Sequence, residues 1–206
     1  MSILEVVFVA VAFLYSVIIH EISHGLMAQS MGDTTARDAG RLTLNPIKHL
    51  DLFGSILLPL MMLIFASVSG FPLVFGYAKP VPYNPFNLSD QRYGPTKVAI
   101  AGPLSNVLLA VLFGLVLRFL PGFSGEKMLE FIVKLNLNLA IFNLIPIPPL
   151  DGHWLLFTFL PQRFIEVKYF LVRYGVFLFI FLIILLSSFN FLSPLINFLF
   201  VVIVGR

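Results

Sequence analysis

Residues 3–24 read ILEVVFVAVAFLYSVIIHEISH, and the fold turns on how that run is taken. From Ile3 to Ile19 the only charge is Glu5, and with its flanks the run approaches the roughly 20 residues a helix needs to cross hydrocarbon. No Lys or Arg precedes it and no small-residue cleavage site follows, so it reads as a retained helix rather than a removed leader. His20, Glu21 and His24 then appear within the apolar helix. Ionisable groups cost at least about 2.5 kcal/mol near a bilayer centre unless they face a protein cavity and a partner, so these three point to a buried site.

The rest of the chain agrees with a membrane solvent. Hydrophobic residues make up 59% and charged residues 11% of the sequence, and the mean hydropathy is +0.98, which argues against a soluble fold. Val98 to Leu117 and Val176 to Leu186 are further apolar runs. The net charge of +3 comes from scattered Lys and Arg without a basic stripe, so nucleic acid is excluded as a partner. With no Cys, a metal must be held by His, Asp or Glu.

Helices are predicted at about residues 2–30, 95–119 and 126–144, followed by a helical pair within about 165–206. Residues 33–45 mix Thr with turn formers before Asn45-Pro46, which suits short strands in a small β-hairpin. Residues 52–75 are apolar but broken by Gly54, Pro59, Gly70 and Pro72. Lys79-Pro80-Val81-Pro82 and Asn84-Pro85 make residues 76–94 extended or turning. The expected architecture is an all-α polytopic membrane protein: about five to six membrane helices, a re-entrant segment and short β-hairpin loops. No internal repeat or linker divides it, so residues 1–206 form one membrane domain, with a catalytic core at about 2–155.

His20-Glu21-Ile22-Ser23-His24 fits H-E-x-x-H, whose spacing puts two imidazoles one helical turn apart on one face, within reach of a single Zn²⁺. Glu21 lies beside the first ligand, where its carboxylate can act as general base towards a water. A catalytic zinc takes three protein ligands, and the motif supplies two. Among the remaining acids and histidines Asp151 stands out, in a Pro-rich break with Gly152 behind it. A solvated acid at the membrane surface would look the same.

The combination HEISHG, AGPLSN and NLIPIPPLDG resembles the site-2 protease family of intramembrane zinc metalloproteases, over roughly residues 10–155. GRLTLNPIKHLD and FGYAKPVPYNP look like its short bacterial and archaeal branch without a PDZ domain. The resemblance implies that His20, His24 and Asp151 bind one zinc ion per chain and that Glu21 is the general base. It implies that Asn143 faces the substrate carbonyl or the tetrahedral intermediate. The implied partners are membrane-spanning protein substrates and the lipid bilayer. The rival functions are a zinc-binding transporter and an inactive relative that binds single-span partners; the absence of related halves and the complete motif weigh against them.

Several other polar residues admit more than one reading. Asn106 fits a group supporting the site and an interhelical bond equally well. Lys134, Asn136 and Asn138 give their helix a polar flank that suits either a water path or an outer end. His153 reads as interfacial, and His49 as a surface residue. Arg37, Arg41 and Lys48 follow the first helix, so the positive-inside rule puts the zinc motif towards the cytoplasm of a prokaryotic cell, in a multi-pass cytoplasmic-membrane protein. Arg163, Lys168, Arg173 and Arg206 fall on that side if the last two helices form a hairpin. Zinc needs the end of the first helix and Asp151 at one depth, which forces an even number of crossings between Met31 and Gly94. Leu52 to Phe75 is too short for two spans and should therefore enter and return.

Overall fold

The structure is a computed structural model that describes residues 2–69, 78–189 and 191–206. The first helix, α1, runs Ile3–Ser30, with Ser2 and Glu5 closing a capping box at its start. Glu5, the one charge in the opening run, thus accepts from the Ser2 backbone N–H at the helix start instead of lying in the apolar interior. At the other end Gly32, at φ +100°, turns the chain away.

The remaining helices are α2 (Thr35–Asp38), α3 (Leu58–Ser69), α4 (Gly94–Phe119), α5 (Glu126–Asn143), α6 (Gly152–Phe159), α7 (Ile165–Phe189) and α8 (Ser193–Val204). A wide helical turn at Leu52–Leu57 leads into α3. Among the described residues three helical stretches are long and apolar enough to cross a membrane: Ile3–Ser30, Gly94–Phe119 and Gln162–Leu186. The predicted α1, α4 and α5 agree with the structure to within one or two residues. The short helix α6 was not anticipated.

Helix α4 is the hub and packs against α1, α5, α6 and α8. Lipid offers no hydrophobic drive for helices to associate, so close approach through small residues decides which ones pack. Gly114 lets α8 approach so closely that an added Cβ would lie 2.4 Å from Ile203. Around it Ala110 and Leu117 of α4, Val133 and Leu137 of α5, and Phe200 and Val204 of α8 form one buried cluster. A second cluster, Ala28, Met31, Leu88 and Val98, joins the end of α1 to α4.

Three sequence expectations are corrected. No strand occurs among the described residues, and the hairpin expected at 33–45 is the short helix α2 with irregular chain after it. Its side chains bond locally: Asp33 accepts from the Thr35 N–H at 3.3 Å, and the Thr34 hydroxyl donates to Asp38 at 2.6 Å, which closes a turn rather than leaving the backbone for a ladder. His49 is fully buried, because the 41–49 loop folds against the extended residues 79–81. Its ring Nε2–H donates to the Thr43 carbonyl at 2.7 Å and its own carbonyl accepts from the Lys79 N–H at 2.9 Å. Arg206 pairs with Glu126, at the end of α5 far from Asp151, not at the end that carries Arg163 and Lys168. The breaks predicted at Gly70 and Pro72 lie outside the described residues.

Candidate metal centre

The helical spacing of His20 and His24 brings their Nε2 atoms to 3.0 Å, with the rings edge to face. Asp151 arrives from the turn-rich segment that follows α5, where Gly152 has no room for a side chain: a Cβ would lie 2.2 Å from the Leu144 carbonyl oxygen. Thr96 of α4 then ties down α6, its hydroxyl donating to the Trp154 carbonyl at 3.1 Å. The result places Asp151 Oδ2 3.1 Å from His20 Nε2 and 3.4 Å from His24 Nε2.

These three atoms fit a metal. Two vertices of a tetrahedron with bonds of ~2.0–2.1 Å lie about 3.3–3.4 Å apart, close to the separations observed. Both imidazoles turn Nδ1 outward, His20 to Asn106 Oδ1 at 2.6 Å and His24 to the Val98 carbonyl at 2.7 Å. A carbonyl oxygen only accepts, so Nδ1 carries the proton and Nε2 presents a lone pair inward. Asp151 Oδ2 is buried without a hydrogen-bond partner. Three inward-facing electron pairs at this range are complementary to a cation, and the hydrogen bonds behind the imidazoles are the usual support of metal-bound histidines.

Gly102 makes the space. A Cβ there would lie 2.4 Å from His24 Nε2 and 2.6 Å from His20 Nε2, so α4 presents bare backbone to the donor atoms. Glu21 sits beside the centre, and its Oε2 accepts from the Val81 N–H at 2.8 Å. The segment that supplies this N–H is itself held: Arg41, buried, donates to the Lys79 carbonyl at 2.6 Å, and Asp33 accepts from the Asn84 N–H at 2.8 Å. Burial alone would raise the Asp33 pKa. Hydrogen bonds from Thr35, Asn84 and Asn87 overcome it and hold the carboxyl below its ordinary value.

The other sequence candidates separate. Asn143 ends α5 half-buried, and its amide donates to the Leu139 carbonyl at 2.9 Å. Asn106 makes both contacts the sequence left open, to His20 at 2.6 Å and across to Asn136 of α5 at 2.8 Å. Asn136 is buried behind it, Lys134 lies 4.7 Å over the Phe200 ring, and Asn138 is exposed. His153 bonds to the Leu150 carbonyl at 2.6 Å and packs its ring against Phe157. Sequence reasoning missed Arg41 and Val81, whose backbone N–H holds the Glu21 carboxylate. No local pattern marks a backbone donor 60 residues away. An open apolar depression of about 320 Å³ lined by Leu144, Pro146, Gly152, Leu155 and Phe159 lies on the surface of the segment that carries Asp151.

Comparison with known proteins bears on the same residues. Peptidase family M50 matches residues 123–184, the part that carries Asn143 and Asp151. The protein named "Putative zinc metalloprotease YwhC" of Bacillus subtilis is 37% identical over 75% of this chain and 69% of its own length. "Putative zinc metalloprotease Rip2" of Mycolicibacterium smegmatis is 32% identical over 71% of this chain, which spans about half of that relative, 55%. "Putative zinc metalloprotease MJ0611" of Methanocaldococcus jannaschii is 53% identical over 27% of this chain and 30% of its own length. No solved structure matches. At the identity to YwhC, and over that share of its length, the chain belongs to Peptidase family M50, the site-2 protease family of membrane metalloproteases.

Proposed function

We propose that this chain hydrolyses peptide bonds in or near the membrane-spanning segments of protein substrates. In this reading His20, His24 and Asp151 hold one zinc ion, Glu21 is the general base and Asn143 faces the scissile carbonyl. The observation that carries it is the convergence of three donor atoms within 3.0–3.4 Å, two of them on a helix long and apolar enough to cross a membrane. When bound, zinc supplies Lewis acidity, lowering the pKa of a water towards 7 and polarising a carbonyl.

The residues of the chain do the rest. Glu21 is oriented by the Val81 N–H on Oε2, which leaves its other oxygen to take a proton from water. Asn143 uses one of its two amide hydrogens on Leu139 and has the second for a developing oxyanion. A substrate must present unwound backbone, since a helix occupies its own carbonyls.

The same reading sets the topology: one membrane domain of five to six helices with the site towards the cytoplasm. The packing of α8 into the cluster of α4 and α5 supports a single domain. Arg37, Arg41, Lys48, Arg163 and Lys168, which flank the helix ends near the centre, support the orientation. The wide turn at Leu52–Leu57 and α3 form one helical run. The apolar stretch 52–75 is too short for two crossings at roughly 20 residues each, so the even number of crossings the centre requires supports a segment that enters and returns. Gly70→Cys and Gly94→Cys, in a chain without native cysteine, report the sides by impermeant labelling. Gly70 reached only from outside, with Gly94 reached only from inside, rejects the re-entrant segment.

The central test is cleavage of a membrane-spanning peptide by purified protein, with and without a zinc chelator. Glu21→Gln should lose at least about 100-fold in rate while retaining zinc, because the base is removed and the ligands stay. Asp151→Ala should lose both zinc and activity. Normal turnover by Glu21→Gln, or full zinc occupancy in Asp151→Ala, defeats the assignment.

A further inference from the structure

Behind His20 lies a chain of buried amides that hydrolysis does not itself require. Asn106 of α4 and Asn136 of α5 are both fully buried, so every polar atom they carry needs a partner. The Asn136 amide nitrogen donates to the Ile132 carbonyl at 2.9 Å and to Ser16 Oγ at 3.0 Å. Its Oδ1 accepts from the Asn106 amide at 2.8 Å, and that amide also reaches the Ser16 carbonyl at 3.3 Å. Asn106 Oδ1 then faces His20 Nδ1 at 2.6 Å.

Donor and acceptor rules give this line a direction. The Ile132 and Ser16 carbonyls only accept, so the nitrogen ends of both amides must face them and the oxygen ends must face onward. A proton on His20 Nδ1 is the end of the line. His24 obtains the same tautomer from a helix carbonyl, Val98, which cannot rotate. His20 obtains it from a side chain that can. The bond from Asn106 to Ser16 is long, and the shorter bond to Asn136 is the one that keeps Asn106 from turning over. A reversed Asn106 would offer N–H to Nδ1, move the proton to Nε2 and close that position to a metal.

We propose that Asn136 is a positioning residue of the metal centre, holding His20 in its Nδ1–H tautomer through Asn106. The proposal rests on His20 being a ligand. It also gives α5 two tasks: this helix leads to Asp151 and it sets the state of the first histidine. The donor set is therefore complete only when α1, α4 and α5 are docked together.

The test uses the full chain in detergent micelles. Nitrogen-15 NMR of the metal-free protein reads the His20 tautomer, and chelator competition reads zinc affinity. Asn106→Ala should lower zinc affinity by about 10- to 100-fold, the usual range for groups that orient a ligand, and Asn136→Ala by about 3- to 10-fold with His20 partly in its Nε2–H form. The double variant should match Asn106→Ala alone, because the two act in series. If Asn136→Ala does not fold, Asn136→Ser keeps a hydroxyl that can bond back to Ile132 but is too short to reach Asn106, and the same shift is expected. Wild-type tautomer and affinity in the Asn136 variants overturn the proposal, as do losses that multiply in the double variant, which would mean packing alone. Failure of the wild-type chain to bind zinc removes the ligand assignment, while the tautomer measurement still decides the role of Asn136.

Discussion

Helices α1 and α7 are nearly the same by hydropathy, each holding an 18-residue stretch that averages 2.4 and 2.5 respectively, yet they occupy the molecule differently. Helix α1 buries Ser16, His20, His24 and Gly25 against α4, α5 and the loops. Helix α7 leaves Val176 64% and Phe177 71% exposed, and its contacts with the rest include a Phe179–Phe142 ring contact, Gly175 against Pro148 and Lys168 on the Phe157 carbonyl. Hydropathy decides that a helix enters the membrane. Which helices then dock depends on polar groups that need partners and small residues that permit contact, because lipid solvates an apolar face as well as another helix does.

The strongest way to break this contrast is Gly102→Ala. Its Cβ would lie 2.4–2.6 Å from Nε2 of both histidines, so zinc affinity should fall by at least about 100-fold and cleavage to background, with helix content by circular dichroism retained. Near-normal zinc affinity would mean that α4 is not held as closely to α1 as described.

Next in size is Asp33→Asn, which removes a carboxylate that accepts from Thr35, Asn84 and Asn87 and so loosens the loop over Glu21. A cost of about 2 kcal/mol is expected. The folded pKa is depressed, so this stabilisation is fully present above the ordinary value of 3.8 and lost as pH falls below it. The gap in melting temperature between wild type and variant should therefore close in acid. A gap that persists there unchanged contradicts the role of the carboxylate.

A smaller effect is expected from Gly175→Ala on α7, whose Cβ would meet Pro148 at 2.8 Å. Crowding of that kind costs about 1 kcal/mol, and zinc affinity should not change. A zinc loss comparable to that of Gly102→Ala would erase the distinction between the helices. Smallest of all, Phe177→Leu exchanges one lipid-facing apolar side chain for another and should shift stability by less than about 0.5 kcal/mol in unfolding assays.

What the sequence determined by itself was local. A 3.6-residue period places His20 and His24 on one face, and Gly and Pro mark where α1, α4 and α5 stop, because both effects act within a few residues of backbone. The expectation that Asp151 belongs with them came from motif resemblance, and the structure brings its carboxylate to their side. Tertiary structure alone decided the burial of His49, the pairing of Arg206 with Glu126, the Val81 N–H on Glu21 and the Asn136–Asn106–His20 line. Each of those joins residues more than a few turns apart. A buried Asn and an exposed one, such as Asn136 and Asn138, carry the same propensity in sequence and differ only in which neighbours the other helices bring to them.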